Sequence, residues 1–466
     1  MSSNLKVNTI LPSTGTAIGI GTDSGNVDIF GHIVGHNTPN ISGINSVTAS
    51  HFYGDGSQLS GIDASTLKFG GATKAQANAA GVVITGICTA TSFSGDGSNL
   101  TGLSTPLSFR NLIINGAMLV DQRGDYSTNS SNLSRQYGGP DRFHQYYYQS
   151  DETARYTFKQ GGTGVSPVEQ GFSRTAILDV TTAQATVDIT AGQAIWTSQR
   201  IEANNASHLK YGHSDAESVT LSFWIKSSVI GNYSITFSHT NMDERYITTY
   251  TVNVADTWEK KIITIPGDTR SGKTIAATNG YGLEVKWVWM SGSSRVATPN
   301  QWATQGNKYG ASGVTLANIF SSTSNNLYLT GVQLEIGTSA TPFEHRSYGD
   351  EFARCQRYYQ QYVNISAVGF VPNNGSRTYS HGFFFPVEMR TAPTMSITNT
   401  GSSNGQYITD GSTNRYISSV LSQGSKTTHM SVSFWLTGDL TDYRGAYLFS
   451  TGSTTYQTTY KIDAEL

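Results

Sequence analysis

Sugars are held by aromatic rings that pack on the apolar face of a pyranose, with Asn, Asp, Gln, Ser and Arg side chains bonding its hydroxyls. Two regions of the 466-residue chain mix these residue types. The first lies in the C-terminal hundred residues, where Asn373, Asn374, Arg377, Tyr379, Tyr407, Asp410, Asn414, Arg415 and Tyr416 fall in two polar stretches, 373–380 and 401–418, that read as long loops. The second is Phe143 to Gln149, with Tyr146, Tyr147 and Tyr148 in one run. On a strand three successive tyrosines alternate faces, so this run reads first as core plus surface tyrosine.

Other chemistry is poorly supported. A glycosidase needs two carboxyl groups about 5 to 10 Å apart across a cleft, whereas the acids of Asp151-Glu152, Asp243-Glu244 and Asp350-Glu351 are adjacent and point to opposite faces of a strand. Gly401-Ser402-Ser403-Asn404-Gly405 matches a nucleophile elbow in letters only, because that motif needs a strand before it and a helix after it. His32 with His36, and His208 with His213, have no cysteine or positioned carboxylate nearby, so no metal site is assigned. The expectation is no catalytic residue, no metal and no cofactor.

Composition narrows the partners. With 13% charged residues and a formal net charge of -2, the chain shows no electrostatic footprint for nucleic acid or a membrane surface. No apolar run is long enough for a secretory h-region or a bilayer span, so neither export nor membrane insertion is expected. The 49 glycines together with 25 tyrosines and 19 phenylalanines describe an all-β protein with many turns. Cys88 and Cys355 lie in unlike segments and read as free thiols of a protein made in a reducing cytoplasm.

Several elements must position the candidate residues. Val219, Leu221, Phe223 and Ile225 share one face of a strand; so do Tyr233, Ile235 and Phe237, and Leu283, Val285, Trp287 and Trp289. Short alternating strands separated by Gly, Asn, Asp or Pro clusters imply two packed antiparallel sheets over 109–346. Further short strands over 364–466 imply a second, smaller β domain. Between them Val332, Leu334 and Ile336 alternate up to Pro342, and Tyr348, Phe352, Cys355, Tyr359 and Tyr362 then follow at spacings of four, three, four and three. That spacing predicts a helix over 347–363 with an a/d seam able to join chains. Upstream, Thr48 to Ile62 and Thr89 to Leu103 repeat Phe-x-Gly-Asp-Gly-Ser-x-Leu-x-Gly at an offset of 41 residues. Two such small units bury no core alone, which points to intertwined copies of the chain.

Three stretches carry a family resemblance. Gly331 to Tyr359 (GVQLEIGTSATPFEHRSYGDEFARCQRYY), Arg110 to Gly124 (RNLIINGAMLVDQRG) and Phe385 to Thr394 (FPVEMRTAPT) resemble the junction, the jelly-roll opening and the distal tip, respectively, of bacteriophage tail-fibre receptor-binding proteins. The resemblance implies a homotrimer with a virion-proximal anchor over 1–45, a shaft over 46–108, a jelly roll over 109–346, a helical neck over 347–363 and a receptor-binding tip over 364–466. It implies assembly in the host cytoplasm into a virion, an N-terminal partner in the phage tail, adaptor or baseplate, and a bacterial surface polysaccharide or lipopolysaccharide as receptor. The distal tip meets the cell first in this family, which favours its loops as the binding site. Carbohydrate-binding jelly rolls often hold a structural calcium on acids just after an Asn-Gly like Asn115-Gly116; here Ala117, Met118 and Leu119 follow, so a calcium would have to use Asp121, Asp141 or Glu335. A collar or whisker fibre without a receptor and a capsule-degrading depolymerase are the alternative functions.

Overall fold

The computed structural model describes residues 66–69, 72–78, 81–89, 110–127, 135–148, 153–239, 243–363, 365–371, 377–380, 383–398, 406–442, 444–449 and 458–466. The anchor over 1–45, both Gly-Asp-Gly-Ser turns, His32, His36, Asn373, Asn374 and the Gly401–Gly405 segment lie outside them. Residues 1–97 and 98–466 form two compact units. In the first, strands Thr66–Phe69, Ala72–Asn78 and Gly81–Ile84 form an antiparallel meander. Its last strand exposes Val82, Val83 and Ile84.

The second unit is all-β around two cores, as the alternation predicted. Among the described residues its jelly roll packs a six-stranded sheet against a seven-stranded one. The alternating positions drive this packing: Leu221, Phe223 and Ile225 of Val219–Ser227 and Val285 and Trp287 of Tyr281–Ser291 are completely buried between the sheets. Leu283 and the Ile235 and Phe237 side chains of Gly231–His239 join them. In the seven-stranded sheet, Tyr281–Ser291 lies between Gly231–His239 and Ala194–Glu202, and the latter pairs with His144–Tyr148. This order fixes which side chains meet on the opposite face.

Two of the family-like stretches touch. Asn111 Oδ1 accepts from the Leu334 and Ile113 amides at 3.0 Å, and the Arg346 guanidinium donates to the Asn111 and Ile113 carbonyls. A Cβ on Gly116 would stand 2.0 Å from the Val332 carbonyl oxygen, so only glycine permits this approach. The chain thus ties its first and last jelly-roll segments together before the helix begins.

The helix is shorter than its sequence pattern. It runs Tyr348–Gln356, capped by Ser347, whose hydroxyl accepts from the Asp350 amide, with acids in its first turn and Arg354 in its last. Tyr359 and Tyr362 lie instead on strand Tyr359–Val363, paired with Thr459–Asp463. The expected seam is therefore broken: Cys355 turns inward and is buried, while Tyr348 and Phe352 stack with ring centroids 5.8 Å apart. Nonlocal contacts end the helix. Tyr358 is buried under Arg142, 3.4 Å from ring centroid to guanidinium carbon, and Tyr359 under Arg123 at 3.6 Å. Such contacts leave no trace in heptad spacing.

The C-terminal domain packs a three-stranded sheet with a seven-stranded one around Val371, Ile408, Ile417, Met430, Phe434 and Tyr460. It is fastened to the jelly roll. Glu465 pairs with both Arg123 and Arg142, and Arg357 chelates Glu202 at 2.8 and 2.9 Å. Arg390 ties the chain end to the jelly roll, donating to the carbonyls of Ala464, Glu465 and Asn279.

Candidate functional site

Alternation along His144–Tyr148 sends Tyr147 into the core, where it stacks on Tyr156, and sends Tyr146 and Tyr148 to the other side of the seven-stranded sheet. On that side they meet Trp196 and Arg200 of one neighbouring strand, and Glu284 and Lys286 of the next. Together with Arg245 and Tyr309 they line a cleft of about 210 Å³. Ligand clefts commonly measure about 300–1,000 Å³, so this one is small.

One wall is aromatic. Tyr146 stacks on Trp196 at 4.5 Å with the planes 11° apart, and Tyr309 stacks on Trp196 at 4.3 Å. Tyr309 seals the indole, which is only 4% exposed, while Tyr146 and Tyr148 stay half-exposed. The Arg295 guanidinium lies 4.2 Å from the centroid of the Tyr148 ring.

The floor is charged and buried. Glu284, 1% exposed, lies 2.8 Å from the Lys286 ammonium and 3.3 Å from Arg200 Nε. Burial opposes its charge, but Lys286, His144 and Arg200 hold the carboxyl well below the usual carboxylate range. Burial lowers Lys286 to about 7, against the attraction of Glu284. The His144 imidazole, 2.8 Å from Ser198 Oγ, is pushed by burial down to about 3 and is neutral. Ser198 gives its one proton to Glu284 at 2.8 Å, so His144 Nε2 donates to Ser198 and Nδ1 is left as an acceptor. At neutral pH the floor carboxylate is therefore ionised and carries no proton.

The C-terminal candidates fall in other roles or places. Residues 407–418 belong largely to a strand pair, Tyr407–Thr409 with Asn414–Gln423, where a long loop was expected. Asp410 builds the turn: its Oδ1 accepts from the amides of Ser412 and Thr413 at 2.9 Å and its Oδ2 from the Thr441 amide. Those bonds, the Ser412 hydroxyl first, hold its carboxyl far below the usual range. Arg415 donates to the Asp439 carbonyl at 3.0 Å, and Tyr407 and Tyr416 meet edge to face at 6.5 Å. Asn414 is the exposed strand partner of Thr409. Arg377 and Tyr379 lie on strand Arg377–Ser380, where the side chains are outside the described residues.

Of the three acids considered for calcium, Asp121 is raised to about 6 by burial, Asp141 accepts from Gln122, and Glu335 accepts from Thr341. Among the described residues no group of three or more His, Cys, Asp or Glu side chains is placed to hold a metal ion. No described helix is long and apolar enough to cross a membrane.

Sequence reasoning missed Trp196, Arg200, Glu284, Lys286 and Tyr309. Glu284 and Lys286 alternate with core residues and read as a solvated face; only the cross-strand pairing of Glu284 with Arg200 and of Lys286 with Ser198, which also pairs with His144, shows otherwise.

No protein-family model and no curated protein matches the chain. Among solved structures it is similar to the enzymatically active domain of bacteriophage CBA120 tailspike protein 4, at 14% identity over 49% of this chain and 21% of that one, TM-score 0.24. It is also similar to the family 11 carbohydrate-binding module of Clostridium thermocellum, at 10% identity over 45% of this chain and 99% of the module, TM-score 0.22. A putative sugar binding protein from Bacteroides thetaiotaomicron shows 11% identity over 49% of this chain and all of that one, TM-score 0.25. At these scores the likenesses carry no argument, and the sandwich rests on the chain's own sheets.

Proposed function

We propose that this protein is a non-enzymatic phage adsorption fibre whose jelly roll binds a saccharide in the cleft between Tyr148 and Glu284. The observation that carries the binding role is the cleft itself: half-exposed tyrosines beside a floor of fixed polar groups. Attachment to the virion through the N-terminal segment is supported by the resemblance of the sequence to tail fibres. Three chains per fibre would raise avidity by about 10² to 10⁴-fold over one site.

Association is supported by two apolar surfaces, Val82, Val83 and Ile84 on the meander and the 59% exposed Tyr348 stacked on Phe352. A three-stranded meander buries too little to leave such a strand in water. The full chain is expected to sediment as a trimer; a monomer at micromolar concentration would remove this part of the reading.

A glycan array with the full chain tests the site. Tyr148→Ala and Tyr146→Ala are each expected to weaken a saccharide hit by about 1 kcal/mol, roughly fivefold, because each removes one ring from the stacking wall. Tyr407→Ala and Tyr416→Ala are expected to leave it unchanged. The reverse pattern would return the site to the C-terminal domain, and release of reducing sugar would favour a depolymerase.

A further inference from the structure

The cleft lining holds more positive than negative groups. Arg135, Arg200, Arg245 and Lys286 face Glu284 and Asp243. Glu284 is already shared by Lys286 and Arg200, and Arg245 caps the Tyr309 ring at 4.4 Å and donates to the Lys308 carbonyl. Arg135 donates through Nη1 to the Leu466 carbonyl at 2.5 Å, yet its buried Nε has no hydrogen-bond partner among the described residues. The Trp196 Nε1 and His144 Nδ1 atoms are likewise buried without one, and all three residues line the cleft. Among the described residues fifteen buried side-chain polar atoms lack a hydrogen-bond partner, and these three gather around one cavity.

The three ask for different atoms. Arg135 Nε and Trp196 Nε1 are donors only, whereas His144 Nδ1, by the tautomer that Ser198 fixes, accepts. Two donors in a cationic surround suit anionic oxygens, and one acceptor suits a hydroxyl. An acidic sugar carries both, and a neutral sugar leaves the excess charge unanswered. We infer that the cleft selects a pyranose bearing a carboxylate or sulfate, its anionic oxygens taken by the cations of the lining, Arg135 foremost. Arg135 also lines an adjoining groove of about 570 Å³, where Arg123 and Lys461 stand beside Asp125 and Asp463 and Arg123 is paired with Asp463 and Glu465.

Lys286 makes this selection depend on pH. Its ammonium faces Glu284 on its own strand, Arg200 on the strand beside it, Arg245 one strand further across the sheet, and Ser238 Oγ at 2.6 Å, with neutral His144 beyond Glu284. Being half-protonated near pH 7, it gains charge as the pH falls, so affinity for an anion rises from pH 8 to pH 6 while affinity for a neutral sugar does not.

The inference rests on the saccharide reading, and calorimetry with three probes separates the two. The probes are oligogalacturonate, its carboxyl-reduced neutral form, and a sulfated galactan oligosaccharide. The expected result is that an acidic probe binds at least about tenfold tighter than the neutral one, and that Arg135→Gln lowers the acidic affinity about tenfold and the neutral affinity less than twofold. Preference for oligogalacturonate or for the sulfated probe supports the inference and names the acid. Equal or tighter binding of the neutral probe, lost in Tyr148→Ala, overturns the inference and leaves the saccharide site standing. Binding by none of the three at millimolar concentration overturns both.

Discussion

Replacing Glu284 with alanine is expected to lower the melting temperature of the protein by on the order of 10 °C at pH 7. The carboxylate is the counter-charge of Lys286 and Arg200 in a layer without solvent, and it also accepts the Ser198 hydroxyl. Removing one partner of a buried pair typically costs about 3–5 kcal/mol, because the charge left behind stays buried. In domains of this size each kcal/mol moves the midpoint by about 2–4 °C. Lys286 softens the loss by shedding its proton, which its depressed pKa already favours. Arg200 has no such escape. Glu284→Gln keeps a Ser198 acceptor and is expected to fall between the two. Calorimetric melting checks this, and a shift under about 2 °C for Glu284→Ala would mean that the floor is solvated.

Arg142→Ala is expected to loosen the C-terminal domain from the jelly roll. Arg142, 1% exposed, lies over the Tyr358 ring, pairs with Glu465 and donates to the Arg200 carbonyl at 2.8 Å. Alanine removes all three interactions and leaves Glu465 with Arg123 as its remaining ion-pair partner, at a cost of about 3 kcal/mol or more. Lysine would restore the charge without the planar guanidinium and is expected to recover only part of the stability. Limited proteolysis is the readout: the variant should be cut within 337–358 at protease levels that leave the parent intact. Unchanged resistance would show that the Arg357–Glu202 pair and the Arg390 hydrogen bonds suffice.

Much of the fold was legible because burial imposes periodicity. Leu283, Val285, Trp287 and Trp289 announce a strand, its core face and its sheet. The helix was legible at its start, where Ser347 caps it. Its end was not, because Tyr358 and Tyr359 are captured by Arg142 and Arg123, more than two hundred residues away. The site was half legible: alternation separated Tyr147 from Tyr146 and Tyr148, but the partners of that pair come from strands placed beside it by the sheet order alone. In the C-terminal cluster Asp410 and Arg415 have the residue types of a sugar site, and their bonds within a turn and to a strand end were not legible from those types.

Hydrogen exchange of the full chain with and without a saccharide hit tests the cleft most directly. The account predicts added protection over 144–148, 194–202 and 284–290 and around Tyr309, with the strands over 407–423 unaffected. Protection confined to 407–423, with the jelly-roll strands unchanged, would contradict it.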